Sequence, residues 1–221
     1  MTIAHHLDDA TVLRYAAGDL DEAFAIVVSS HVAMCDQCRK AVRDAETAGG
    51  LLMEDVSPAP LGEGAFERMM ERIETVGEEG SIRAKAKPPA PAQPGLPAPL
   101  ARYIGSSLED VKWRTVAPGV RKCDISLPTK TGSSLFLLQI NSGMSIPEHG
   151  HGGDEMTLVL KGAYRDEFGR FGAGDIADLD EHIEHQPHVE PDGPCTCLVA
   201  AQTPTRFRGL LMRLLQPVFG I

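Results

Sequence analysis

Two groups of residues in this 221-residue chain have the types and spacing to hold a metal ion. The first is His31-x3-Cys35-x2-Cys38. On a helix, residues i and i+4 share one face, so His31 and Cys35 project together. A cysteine three residues further on completes one side of a small tetrahedral site. Thiolates with imidazole suit Zn²⁺, and a structural zinc takes four protein ligands with no open position. The fourth must come from elsewhere, and His5 and His6 are the candidates in the same part of the chain. The competing readings are a redox Cys-x2-Cys pair or two unrelated cysteines. His31, with a histidine near the N-terminus, favours zinc.

The second group is Gly143-x5-His149-x-His151-x3-Glu155-x6-Gly162. Residues two apart on an extended segment face the same way, so His149 and His151 point together. Glu155 follows the Gly152-Gly153 turn and can return a carboxylate to the same ion. The whole string resembles the first cupin motif. A second cupin motif would add a histidine from a later strand, and Gly174-Asp175 opens a segment holding His182, His185 and His188. The resemblance singles out His185, in His185-Gln186-Pro187, and leaves the other two to a polar loop. Three cysteines remain: Cys123 reads as core, and Cys195-x-Cys197 as two thiols on one strand face. Buried packing is the simpler reading of that pair, a redox role the sharper one.

Helical periodicity organises the first 83 residues. Asp8 or Asp9 caps a helix through Leu13 and Tyr15 that Gly18 stops. Asp21-Glu22 open a second helix reaching His31. A third runs from about Asp36 to Gly49-Gly50, and a fourth from about Gly62 to Val76 with Phe66, Met69, Met70 and Ile73 on one stripe. Residues 84–99 hold six prolines, which predicts an extended, semi-rigid linker that packs no core. From 100 to 203 the texture is β: Ser134–Ile140, Met156–Leu160 and Cys195–Ala200 are apolar runs set between glycine-rich turns, the pattern of a sandwich or barrel. Residues 204–221 read as an amphipathic helical tail. The expected architecture is an α+β multidomain chain, with an N-terminal zinc-binding helical bundle and a C-terminal cupin β-barrel, a double-stranded β-helix.

The formal net charge is −10, and residues 1–85 carry 16 acidic against 8 basic side chains. An acidic module is repelled by phosphate backbones, which argues against direct nucleic-acid binding, and it suits a basic partner protein. No apolar run approaches the ~20 residues of a membrane span, and no basic-then-apolar targeting segment opens the chain. Five cysteines, an odd number, argue against a purely disulfide-built secreted framework, so a cytoplasmic setting is expected.

Taken together, these residues resemble the ChrR-type zinc-binding anti-sigma factors. The resemblance rests on His5-His6-Leu7 with Ala16-Ala17-Gly18, on Ser29 to Cys38, on Gly49-Gly50-Leu51-Leu52, on the cupin string and on His185-Gln186-Pro187. It covers nearly the whole chain apart from the linker. It implies zinc held by His6, His31, Cys35 and Cys38, and Zn²⁺ or another divalent transition metal held by His149, His151, Glu155 and His185. It also implies a non-enzymatic regulator: the helical domain sequesters an extracytoplasmic-function sigma factor, and the cupin is needed for release under singlet oxygen or related peroxides. The rival is a cupin dioxygenase with an N-terminal zinc regulatory domain, since an iron or manganese site with open positions admits substrate. The zinc-helical half, for which an oxygenase has no obvious need, favours the regulator.

Overall fold

The computed structural model describes residues 2–83, 96–127 and 132–207, with the side chains of 76–83 and 206–207 left aside. Helix α1 (Asp9–Ala16) begins where the Asp8 carboxylate accepts from the Thr11 amide at 2.6 Å. Helix α2 (Glu22–Met34) begins likewise at Asp21, which accepts from Ala23. Helix α3 (Asp36–Glu54) is capped by Cys35, whose sulfur accepts from the Cys38 amide. Side-chain capping of this kind satisfies amides that a helix start leaves bare. The expected stop at Gly49-Gly50 does not occur, and α3 runs on to Glu54. Neither glycine takes a positive φ. Each weakens the helix by only about 0.5–1 kcal/mol relative to alanine, and strong formers flank the pair. Helix α4 (Ala65–Arg83) likewise runs past Val76.

Most of the proline-rich stretch, residues 84–95, lies outside the described residues. Its last part departs from the expected extended linker. Leu96 is buried, and helix α5 (Ala98–Ile104) starts just after Pro97, burying Leu100 completely. Proline is tolerated in a first helical turn, where its missing amide has no partner to lose.

Among the described residues the β portion has twelve strands: β1 (Arg114–Ala117), β2 (Val120–Ile125), β3 (Ser134–Ile140), β4 (His149–Gly150), β5 (Glu155–Lys161), β6 (Ala163–Asp166), β7 (Gly169–Gly172), β8 (Ile176–Leu179), β9 (Glu184–His185), β10 (His188–Val189), β11 (Cys195–Ala201) and β12 (Arg206–Phe207). They form antiparallel sheets in the orders β1-β2-β3-β11-β5-β8, β10-β6-β7 and β12-β4-β9. This is the cupin arrangement expected for residues 100–203. Arg206–Phe207 pair with His149–Gly150 as a strand and so do not begin the expected tail helix. The rest of that tail, 208–221, lies outside the described residues.

Alternation along the strands splits the interior into two cores. Phe136, Ile140, Val159, Cys195, Cys197 and Val199 face into the barrel. Leu135, Leu137, Met156, Leu158, Leu198 and Ala200 face outward, yet they too are buried, in one cluster with Phe24, Val27 and Val28 of α2 and Leu100 of α5. Every residue of β11 is therefore buried, as expected for a strand covered on both faces. The helical and β parts share this outer core. The cause is α2, apolar nearly all round, with Ala23, Phe24, Ile26, Val27 and Val28 buried. Such a helix has to be covered on every side.

Candidate metal centres

The first cluster lies where the N-terminal segment crosses the α2–α3 junction. His31 ends the buried stripe of α2, Cys35 caps α3, and Cys38 follows one turn later. One donor atom from each of His6, His31, Cys35 and Cys38 falls within 4.8 Å of all the others. His31 Nε2 stands 3.2 Å from the Cys38 sulfur, and His6 Nδ1 lies 3.4 Å from the Cys35 sulfur and 3.7 Å from that of Cys38. A tetrahedron with donors ~2.0–2.3 Å from its centre has edges of about 3.3–3.8 Å, so these separations suit a single ion. His5, the other candidate, points away: it stacks on Phe171 at 3.9 Å and bonds the Arg170 carbonyl.

The chemistry of this donor set fits a metal. His31 Nδ1 faces the Gly174 carbonyl at 2.9 Å, which can only accept. Nδ1 therefore carries the proton, and the Nε2 lone pair faces the sulfurs. Burial pushes the His31 pKa down to about 4, against the pull of that carbonyl, so the ring is neutral at pH 7. Burial, reinforced by neighbouring Cys35, pushes the Cys38 thiol up to about 11. A cation among these donors would lower the Cys38 thiol's pKa and favour its thiolate.

The second cluster lies inside the barrel. Strand β4 carries His149, β9 carries His185 directly opposite it in register, and β5 opens with Glu155. His149, His151 and His185 bring nitrogens within 4.8 Å of one another, and all three are buried. Each Nδ1 faces an oxygen: His149 the Pro147 carbonyl at 2.9 Å, His185 the Asp166 carboxylate at 3.0 Å, and His151 the Glu155 carboxylate at 3.2 Å. With the protons on Nδ1, the Nε2 lone pairs turn inward, and those of His149 and His185 stand 3.1 Å apart. His151 Nε2 is buried with no hydrogen-bond partner among the described residues. Converging lone pairs and an orphaned buried nitrogen repel one another unless a cation lies among them. The glutamate stands against His151 rather than inside the mutual histidine set. Burial opposes the charge on Glu155, but the His151 bond and the surrounding histidines outweigh it and hold its pKa below the usual value. Burial also pushes His149 down to about 4, with His185 adding to it.

Beside this cluster is a cavity of about 80 Å³ with mostly apolar walls, among them Val120, Phe136, Ile146, Tyr164 and Val199. Of the other histidines in the late segment, His182 is exposed and His188 bonds Ser145 at the surface. Sequence reasoning missed Asp166, whose side chain is 1% exposed and orients His185. No spacing signal marks it, because the two meet only through the pairing of β6 with β10, the strand that follows His185. It also missed the Gly174 carbonyl behind His31, for the same reason.

The fold and the two clusters define a two-part protein, a helical His/Cys module docked on a cupin with its own three-histidine centre. Residues 102–204 match the family described as the ChrR cupin-like domain. The whole chain is 45% identical to the anti-sigma-E factor ChrR of Cereibacter sphaeroides, covering 100% of both sequences. The chain belongs to the ChrR anti-sigma factor family. It also resembles the crystal structure of Rhodobacter sphaeroides SigE in complex with the anti-sigma ChrR, with a TM-score of 0.74 and 44% identity over 90% of this chain and 99% of that one.

Proposed function

We propose that this chain is a cytoplasmic anti-sigma factor that sequesters an extracytoplasmic-function sigma factor and releases it on oxidative stress sensed through the cupin. The observation that carries the binding half is an apolar surface left exposed among the described residues: Leu51, Leu52, Met53 and Val56 on α3 and beyond, Leu61, and Phe66, Met69, Met70 and Ile73 on α4. So large an apolar surface on a soluble module marks an interaction site. It sits on the acidic part of the chain, which suits a basic, nucleic-acid-binding partner. Residues 1–83 form the binding domain, 100–203 the cupin, and 84–99 and 204–221 the connection and tail. In this reading His6, His31, Cys35 and Cys38 hold Zn²⁺, which supplies the helical module with folding energy. His149, His151, Glu155 and His185 hold Zn²⁺ or another divalent transition metal. The cupin works as a sensor and not as an enzyme.

A reporter for sigma-dependent transcription tests both halves. The full chain should repress it, and light with a photosensitiser should relieve repression. His151→Ala and Glu155→Ala should repress normally yet fail to release. Normal release in both variants would refute the sensing role, and absence of repression by the wild type would refute the sequestering role.

A further inference from the structure

The helical metal cluster is not built by the helical module alone. The N-terminal segment that delivers His6 is strapped to the cupin. The Asp175 carboxylate, buried in the turn between β7 and β8, accepts from the amides of Ala4 and His5 at 2.6 and 3.0 Å. His5 itself stacks on Phe171 of β7. The same turn supplies the Gly174 carbonyl that fixes the His31 tautomer. Gly174 has φ +94°, and a Cβ there would fall 2.8 Å from the Ile3 side chain. Glycine suits this positive φ, which a residue with a side chain rarely adopts.

From this arrangement we infer that the β7–β8 turn of the cupin is a latch that positions two of the four ligands of the helical metal centre, so that metal retention there depends on cupin docking. The inference rests on the proposed metal site, but it adds that the two domains communicate by direct contact rather than through the connecting segment. The latch is also tied to the other centre. Gly174 donates to the Val159 carbonyl at 2.8 Å and Val159 to that of Asp175 at 3.0 Å. Val159 lies on β5, the strand that Glu155 opens. A change at the barrel centre that shifts β5 therefore reaches the His31 carbonyl partner through one hydrogen-bonded step. Coupling of this kind is reciprocal: whatever undocks the turn weakens the metal site, and losing the metal loosens the turn by the same free energy.

The test uses full-length zinc-loaded protein challenged with excess chelator, and reads alkylation of Cys35 and Cys38 by mass spectrometry. Asp175→Ala removes the acceptor of the strap. It also removes the bond from Gly172 N to Asp175 that shapes the turn, so His5→Ala, which leaves the turn and every proposed ligand intact, is the second variant. Both should expose Cys35 and Cys38 on the order of tenfold faster than wild type, the loss usual for an outer partner of a metal ligand. In the wild type, stripping the metal should speed hydrogen exchange at the Ala4 and His5 amides. Wild-type alkylation rates in both variants, with zinc still protecting the wild-type cysteines, overturn the latch alone. If zinc does not protect Cys35 and Cys38 in the wild type, the metal assignment falls and the latch with it.

Discussion

Replacing Asp166 should weaken metal binding in the cupin without touching any ligand. Its carboxylate, 1% exposed, lies 3.0 Å from His185 Nδ1, and His185 is itself buried. The bond fixes the tautomer that turns Nε2 inward and makes the imidazole a stronger donor. Outer partners of this kind are worth about 10–100-fold in metal affinity, or ~1.4–2.7 kcal/mol. Asp166→Asn keeps an oxygen that accepts from Nδ1–H but loses the charge, and charge-assisted bonds are roughly twice as strong as neutral ones. Its effect should sit near tenfold, while Asp166→Ala should approach a hundredfold. Asp166 Oδ1 also accepts from the Phe168 amide; asparagine has a single acceptor oxygen and so keeps only one of the two bonds, but it preserves the side chain's shape and is the closer comparison. Chelator competition followed by metal analysis resolves the two centres: one equivalent per chain should become easier to remove, while the equivalent protected by Cys35 and Cys38 stays. Equal affinity of the cupin centre in wild type, asparagine and alanine variants would refute the reasoning.

Cys38→Ser should lose one metal equivalent and abolish sigma-factor binding in co-purification, because binding energy in a small zinc module is folding energy. Full binding by a metal-free variant would contradict this. Phe66→Asp with Met69→Asp should also abolish co-purification while leaving metal content and thermal stability unchanged, since both side chains are exposed. Asp178 is half-buried and accepts from the Thr11 hydroxyl, and burial pushes its pKa up to about 6, with Asp8 and Asp154 adding to the rise. Because the folded state holds this proton more tightly than the unfolded chain, Asp178 favours the fold at low pH, and that contribution is lost as pH rises from about 4 through about 6. At pH 8 the buried charge then opposes folding by roughly 2–3 kcal/mol. Asp178→Asn should therefore raise the melting temperature at pH 8 and do so much less at pH 4, near the unfolded pKa; an equal gain at both would refute the assignment.

Local chemistry was legible in the sequence because local rules produce it. Asp8 and Asp21 stand where caps belong, and the structure starts helices after both. The i, i+4 spacing of His31 and Cys35 and the alternation of His149 and His151 put donors on one side by backbone period alone. The apolar runs at 134–140 and 195–201 became strands for the same reason. Boundaries were less legible. Gly49-Gly50 reads as a stop, but a helix continues when its flanks favour it by more than two glycines cost, and Leu100 was hidden in a proline-rich context. What only the tertiary structure decided is which distant groups meet. His5 and His6 are adjacent and chemically identical, and the choice between them was made by Phe171 and Asp175, more than 160 residues away, which draw His5 onto the cupin and leave His6 facing the thiols. Asp166 behind His185 and Gly174 behind His31 are likewise products of strand pairing and domain docking. Periodicity records which face a residue occupies, but not which face of another element will be pressed against it, because that is settled by burying the apolar surfaces of α2 and of the large sheet together.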